Sequence, residues 1–261
     1  MASERYDHGL FDLLEIAKKT SLNAVTKLDQ IRREQDLDYQ FDSVLKREMK
    51  AKADRIIESV ILEDLSKTGI PILSEEAHES YDDSDLGRRF IVDPVDGTVN
   101  FIRGVGLSSV SIALYDDDQP LFGVLAIFPG AEIVWGGPGI GSFHDGVTIK
   151  VSEQTEKVES ILCTGIPARL DLTEKGQKEK FLKNITEFAK VRMMGAASIS
   201  LFNVAKGSAD CYAEQDVMIW DIAAGLAILL GAGGQYELAK GNYQHSWNVV
   251  GHNGKLFFKP S

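Results

Sequence analysis

From Leu10 to about Leu28, the apolar residues Phe11, Leu13, Leu14, Ile16, Ala17, Leu22, Ala24, Val25 and Leu28 recur at helical spacing and predict an amphipathic helix. The polar stretch Asp29 to Asp42 reads as a loop. A second helix is predicted from about Ser43 to Leu65, with Ile56, Ile57, Val60, Ile61 and Leu65 along one face. Thr68-Gly69-Ile70-Pro71 stops it ahead of a short strand, Ile72-Leu73, which runs into Ser74-Glu75-Glu76. Residues 77–87 read as a solvated acidic connector. Arg89-Phe90-Ile91-Val92 predicts a short buried strand ending in a turn. Ser108 to Leu114, Leu121 to Phe128 and Glu132 to Trp135 continue as a meander of strands. Gly139 to Gly146 reads as a hairpin with an Asp-Gly turn. Its glycines lack a following helix and a P-loop lysine, which argues against a nucleotide loop.

The second half changes texture. Ser160 to Cys163 is a predicted strand, Thr173 to Lys190 a charged helix, and Val191 to Met194 another strand. A helix through Leu201 and Val204, a strand at Asp210 to Ala213 and a helix from Trp220 to Leu230 complete an α/β pattern, with Gly231 to Gly234 as the stop. The expected organisation is an N-terminal α+β subdomain, 1–154, and a C-terminal α/β subdomain, 155–261.

Composition adds limits. With 44% hydrophobic and 26% charged residues among 261, the chain can bury a sizeable core as one large domain or two subdomains. The net charge of −11 argues against nucleic acid or an anionic membrane as the main partner. A small anionic substrate stays open, because bound cations invert the local sign. The two cysteines, Cys163 and Cys211, lie in apolar contexts and read as buried free thiols, which fits a reducing cytoplasm. The start of the chain is polar without a signal-peptide core, and no apolar run approaches membrane-spanning length, so a cytoplasmic setting is expected. The five histidines (His8, His78, His144, His245 and His252) are scattered without ligand spacing.

The stretch Asp93-Pro94-Val95-Asp96-Gly97-Thr98-Val99-Asn100-Phe101 carries the candidate chemistry. Carboxylates suit hard divalent cations such as magnesium. The N–H groups of Gly97 and Thr98, if they open a helical turn, point at an anion. Cation and phosphate side by side suggest phosphoryl chemistry; the alternative is an ordinary Asp-Pro-x-Asp-Gly surface turn. Glu75 after a strand and Asp221 near a helix start each have an ordinary reading too, as a solvated loop residue and as a cap or dipole partner.

Taken together, Glu75, Asp93-Pro94-Val95-Asp96-Gly97-Thr98, Asn100-Phe101 and Trp220-Asp221-x-Ala223-Ala224-Gly225 resemble the inositol monophosphatase family of magnesium-dependent, lithium-sensitive phosphatases. The resemblance implies a layered αβαβα sandwich of the sugar-phosphatase type, a homodimer and two or three Mg²⁺ ions. It implies metal ligation by Glu75, Asp93, Asp96, Asp221 and the carbonyl of Val95, with water oriented by Glu75 and Thr98 and no phosphoenzyme. Asp93 is thereby also counted among the catalytic residues. Phosphate is expected on the N–H groups of Gly97 and Thr98. Substrate hydroxyls are expected at Gly195-Ala196-Ala197 and at Glu214, and Trp220 as packing that positions Asp221. Val99-Asn100 favours the inositol-type branch, so a polyol phosphate such as inositol-1-phosphate is the expected substrate. 3′-Phosphoadenosine 5′-phosphate, fructose 1,6-bisphosphate, histidinol phosphate and other sugar phosphates remain alternatives. One departure stands out. The family's aspartate at the start of the second helix, bonded to the loop threonine, falls on Met49 or Lys50, with Glu48 nearby. That absence keeps open a non-catalytic binding or regulatory member of the fold. The loop Arg32 to Asp42 offers no clear match for a metal-linked lysine.

Overall fold

The computed structural model describes residues 9–34, 43–77, 87–166 and 176–256. The helix predicted first runs further than its apolar pattern, as α1 (Leu10–Glu34), and its last turns are the polar residues read as loop. Arg33 and Asp29 pair at 2.5 Å there, an i,i+4 contact that supports a solvent-facing turn. Residues 35–42 of the expected loop, 78–86 of the acidic connector and 173–175 of the expected third helix lie outside the described residues, as do His8 and His78. The second helix, α2 (Ser43–Leu65), has its expected bounds.

A seven-stranded sheet follows: β1 (Ile72–Ser74), β2 (Arg89–Asp96), β3 (Ser108–Asp116), β4 (Gln119–Phe128), β5 (Glu132–Gly137), β6 (Gly141–His144) and β7 (Val147–Thr148). They lie in chain order; β1 pairs parallel with β2 and every later pairing is antiparallel. Between β2 and β3 comes one short helix, α3 (Thr98–Arg103). Strand parity sorts the core. Phe90, Val92, Val110, Ile112, Leu114, Phe122 and Val124 face α1 and α2, where Leu13, Leu14, Leu28, Ile57, Ile61 and Leu65 meet them. Ile91, Ala113, Tyr115, Leu125 and Ile127 face the other way, so both faces of the sheet are covered.

That second face is covered by α5 (Ala197–Ala205) and α6 (Ile219–Gly231). A five-stranded sheet closes over those helices in the order β11-β12-β10-β8-β9, from β8 (Ile161–Thr164), β9 (Lys190–Arg192), β10 (Cys211–Met218), β11 (Gln235–Lys240) and β12 (Ser246–His252). Ile185 and Phe188, at and just beyond the end of α4 (Gln177–Thr186), pack on its outer side with Leu162, Cys211 and Leu256. The layers are α1/α2, sheet, α5/α6, sheet, α4: the expected αβαβα sandwich, built of two mixed sheets.

Several boundaries differ from the sequence reading. The charged helix is shorter than Thr173 to Lys190, because Lys190 opens β9 rather than ending α4. β10 runs past Ala213 to Met218, and β11 and β12 have no counterpart in the sequence pattern. Strand β2 does not end at Val92 but continues through Asp-Pro-Val-Asp.

The central helix α6 sits unusually close to the sheet. A Cβ placed on Gly123 of β4 would lie 2.2 Å from the carbonyl oxygen of Ala224, and one on Gly225 would lie 2.7 Å from the Leu201 side chain. The Ala-Ala-Gly run after Asp221 is thus the thin edge that lets α6 fit between the sheets. Among the described residues, no helix is long and apolar enough to cross a membrane.

Candidate active site

Parallel pairing brings the first two acidic segments together. Ser74 of β1 is in register with Val92 of β2, so Glu75 emerges beside Asp93, and its N–H donates to the Val92 carbonyl at 3.2 Å. On β2 the spacing of Asp93 and Asp96 poses a parity problem. In a regular strand, side chains three apart point to opposite faces. Here Asp93 pairs with Ser111 and Asp96 with Ser109, so β2 carries one extra residue against β3. This bulge returns both carboxylates to one face. Pro94, which has no N–H to offer a ladder, sits at the irregular point where such a residue is tolerated. The ordinary surface-turn reading is excluded, because Asp93 and Asp96 are 1% and 7% exposed.

Asp221, in the first turn of α6, completes the cluster: carboxylate oxygens of Asp93, Asp96 and Asp221 all lie within 4.8 Å of one another. Burial, and then the charges of Glu75, Asp221 and Asp96, push the Asp93 carboxyl well above the usual range. Asp221 is raised likewise by burial and by Asp96 and Glu75. Asp96 rises to about 6 through burial, opposed by donors from Ser198 and the Ala197 N–H. Asp93, Asp96 and Asp221, with the charge of Glu75 nearby, form a largely buried donor set that fits a divalent cation, whose charge offsets their mutual repulsion.

The loop residues are held by hydrogen bonds. Val95 N–H donates to Asp93 Oδ1 at 2.8 Å, and the Thr98 hydroxyl donates to the Val95 carbonyl at 2.9 Å. Gly97 takes φ of +82°, and a Cβ there would come within 3.0 Å of the Ala196 methyl and the Leu107 carbonyl, so glycine is required. The Ser108 hydroxyl donates to the Gly97 carbonyl at 2.9 Å. Val99, by contrast, is an exposed residue of α3.

The segment expected to meet substrate lies against this loop. Gly195 (φ +72°) abuts the Asn100 amide, which donates to the Met194 carbonyl at 2.7 Å. Ala196 precedes α5 and Ala197 opens it. Glu214 of β10 accepts the Tyr212 hydroxyl at 2.9 Å; burial lifts its carboxyl to about 7, with the charge of Asp96 adding. Gly165 leaves the room for it, since a Cβ there would lie 2.5 Å from the carboxylate.

The family model for "Inositol monophosphatase family" matches residues 11–258. The chain belongs to the inositol monophosphatase family. An inositol-1-monophosphatase of Mesorhizobium japonicum is 35% identical over 187 residues, 70% of each chain. A histidinol-phosphatase of Mycobacterium tuberculosis is 32% identical over 78% of this chain and 80% of its own. The solved inositol monophosphatase of Anabaena superposes with a TM-score of 0.78 at 27% identity, covering 94% of this chain and 92% of that one. Like its family, this member is a phosphatase, and the family implies a divalent metal.

Polar residues that the sequence reading does not single out lie on the elements around this cluster in the family member. Met49, Lys50 and Glu48 lie on α2 where side chains are outside the described residues. Further along the same helix, Asp54 is a carboxylate 1% exposed, on the face that carries Ile57 and Ile61. Its signal was there: a charge three residues before Ile57 and seven before Ile61 falls within the apolar stripe. One turn on, Glu58 accepts the Ser74 hydroxyl next to Glu75. The serines of β3 form a second such group. Ser109 contacts the Ser198 hydroxyl at 2.8 Å, and Ser111 donates to the Trp220 carbonyl at 3.2 Å beside Asp221. Trp220 is 3% exposed and near His245, in keeping with packing. The second acidic group with histidine, Glu132, His144 and Asp145, lies away at the β5–β6 hairpin.

Proposed function

We propose that this phosphatase is a Mg²⁺-dependent phosphomonoesterase of small polyol phosphates, with inositol-1-phosphate as first substrate. The observation that carries the reading is the convergence of Asp93, Asp96 and Asp221 within 4.8 Å, with Glu75 close enough to raise their carboxyls. In this reading Glu75, Asp93, Asp96, Asp221 and the Val95 carbonyl hold two or three ions. Magnesium, when bound, supplies the Lewis-acid charge that offsets phosphate and acidifies water. The chain does the rest. Glu75 and Thr98 orient the attacking water; the Thr98 hydroxyl spends its proton on the Val95 carbonyl, so it meets that water as an acceptor. Gly97 and Thr98 offer N–H groups to the phosphate. Glu214, with Gly195, Ala196 and Ala197, receives the polyol hydroxyls.

The non-catalytic reading rested on a missing carboxylate in the second helix. Asp54, a buried carboxylate further along the same helix, is our candidate for that carboxylate, while the Thr98 hydroxyl donates to the Val95 carbonyl. The reading extends to lithium sensitivity, a homodimer and a cytoplasmic setting.

Phosphate release, with and without Mg²⁺, tests it on inositol-1-phosphate, fructose 1,6-bisphosphate, 3′-phosphoadenosine 5′-phosphate, histidinol phosphate and sugar phosphates, with Asp93→Asn as control. Turnover that needs Mg²⁺, collapses in the control and is fastest on a polyol monophosphate is the expected result. Metal-independent turnover, or full activity in Asp93→Asn, overturns it. A preference for another ester moves the protein to that branch.

A further inference from the structure

Asp96 is held by more than its own strand. Its Oδ2 accepts the Ser198 N–H at 2.8 Å and the Ser198 hydroxyl as well, and the Ala197 N–H also donates to the carboxylate. Ser198 Oγ lies 2.8 Å from Ser109 Oγ, and Ser109 is the residue paired with Asp96 across the bulge. Both serines are fully buried. A hydroxyl has one proton. With that of Ser198 given to Asp96, Ser109 must be the donor to Ser198, so the chain of bonds runs from Ser109 through Ser198 to Asp96.

We propose that Ser198 is a positioning residue of the metal site, with Ser109 as its support. By occupying Oδ2, the start of α5 fixes the carboxylate plane and leaves Oδ1 as the oxygen offered to the cation. The same turn of helix begins at Ala196 and Ala197, so one rigid piece carries both the orientation of a metal ligand and the segment facing the polyol. The inference rests on the reading of Asp96 as a cation ligand.

The test is Mg²⁺ titration by calorimetry on chelator-stripped full-length protein: wild type, Ser198→Ala, Ser109→Ala and Ser142→Ala. Ser142 is an equally buried hydroxyl, bonded at 2.6 Å to the Ile228 carbonyl, two turns along α6 from Asp221, and reports the cost of losing any such bond. Ser198→Ala should weaken Mg²⁺ by about tenfold or more, the usual effect of removing a ligand's outer partner. Ser109→Ala should weaken it less, in the same direction, and Ser142→Ala should leave it unchanged while lowering thermal stability. Ser198→Ala with wild-type or tighter Mg²⁺ binding, or an equal loss in Ser142→Ala, overturns the inference alone. A wild type that binds no Mg²⁺ overturns the metal reading with it.

Discussion

Replacing Asp96 with asparagine should make the metal-free protein more stable while disabling it. Burial is the main reason this carboxyl sits at about 6 instead of its usual 3.8, with the charge of Glu75 adding and the α5 donors opposing. Between those two values the folded chain holds more protons than the unfolded one. Stability therefore falls as pH rises through the window, and the whole penalty is present above it. At about 1.4 kcal/mol per pH unit, the gap amounts to about 3 kcal/mol. Asparagine keeps the shape and an acceptor oxygen for the Ser198 donors but carries no charge. For a chain of this size, about 3 kcal/mol corresponds to roughly 6–12 °C in Tm. Thermal unfolding after chelation should give the largest gain for Asp96→Asn at about pH 7.5, roughly half of it at about pH 5, and little at about pH 4. Added Mg²⁺ should raise the wild-type Tm and leave the variant behind. No gain at about pH 7.5, or one that ignores pH, would refute the account of Asp96 as a carboxyl whose burial penalises its charge until a cation offsets it.

Gly123→Ala should destabilise by about 1–3 kcal/mol or more in denaturant unfolding, because the new methyl meets the backbone of Ala224 rather than a movable side chain. Gly165→Ala should push the Glu214 carboxylate aside, and steady-state kinetics should then give a several-fold higher KM for a polyol phosphate with little change for an aryl phosphate lacking the hydroxyls. Burial raises the Cys163 thiol to about 11 and Cys211 further. Neither should react with iodoacetamide in the folded protein near neutral pH, and both should react once it is unfolded.

Much of this was legible in the sequence. The helical stripes of α1 and α2 and the alternating strands sorted themselves by side-chain period, and the motifs around Asp93 and Asp221 carried the chemistry. What escaped notice depends on pairing between distant segments. Whether Asp93 and Asp96 share a face is decided by the register of β2 against β3, which no local pattern expresses. Ser109 and Ser111 read as the polar half of a strand's alternation, yet they point at α5 and α6 rather than at water. The polar end of α1 is hard to read because only Ile31 of residues 29–33 is buried, and the turns facing solvent carry no apolar signal. β11 is hard to read for a related reason: much of it is exposed, so its burial is one-sided and weakly written.

The placement of α6 between the two sheets also sets an order of events. Asp93 and Asp96 are synthesised well before Asp221, and the pocket lacks its third arm until α6 has entered a slot lined by both halves of the chain. A nascent or truncated chain ending before that helix carries the acidic pair without its partner. Occupancy by a cation held on all three carboxylates would therefore require α6 to be seated, so magnesium should protect against proteolysis only chains long enough to include that helix.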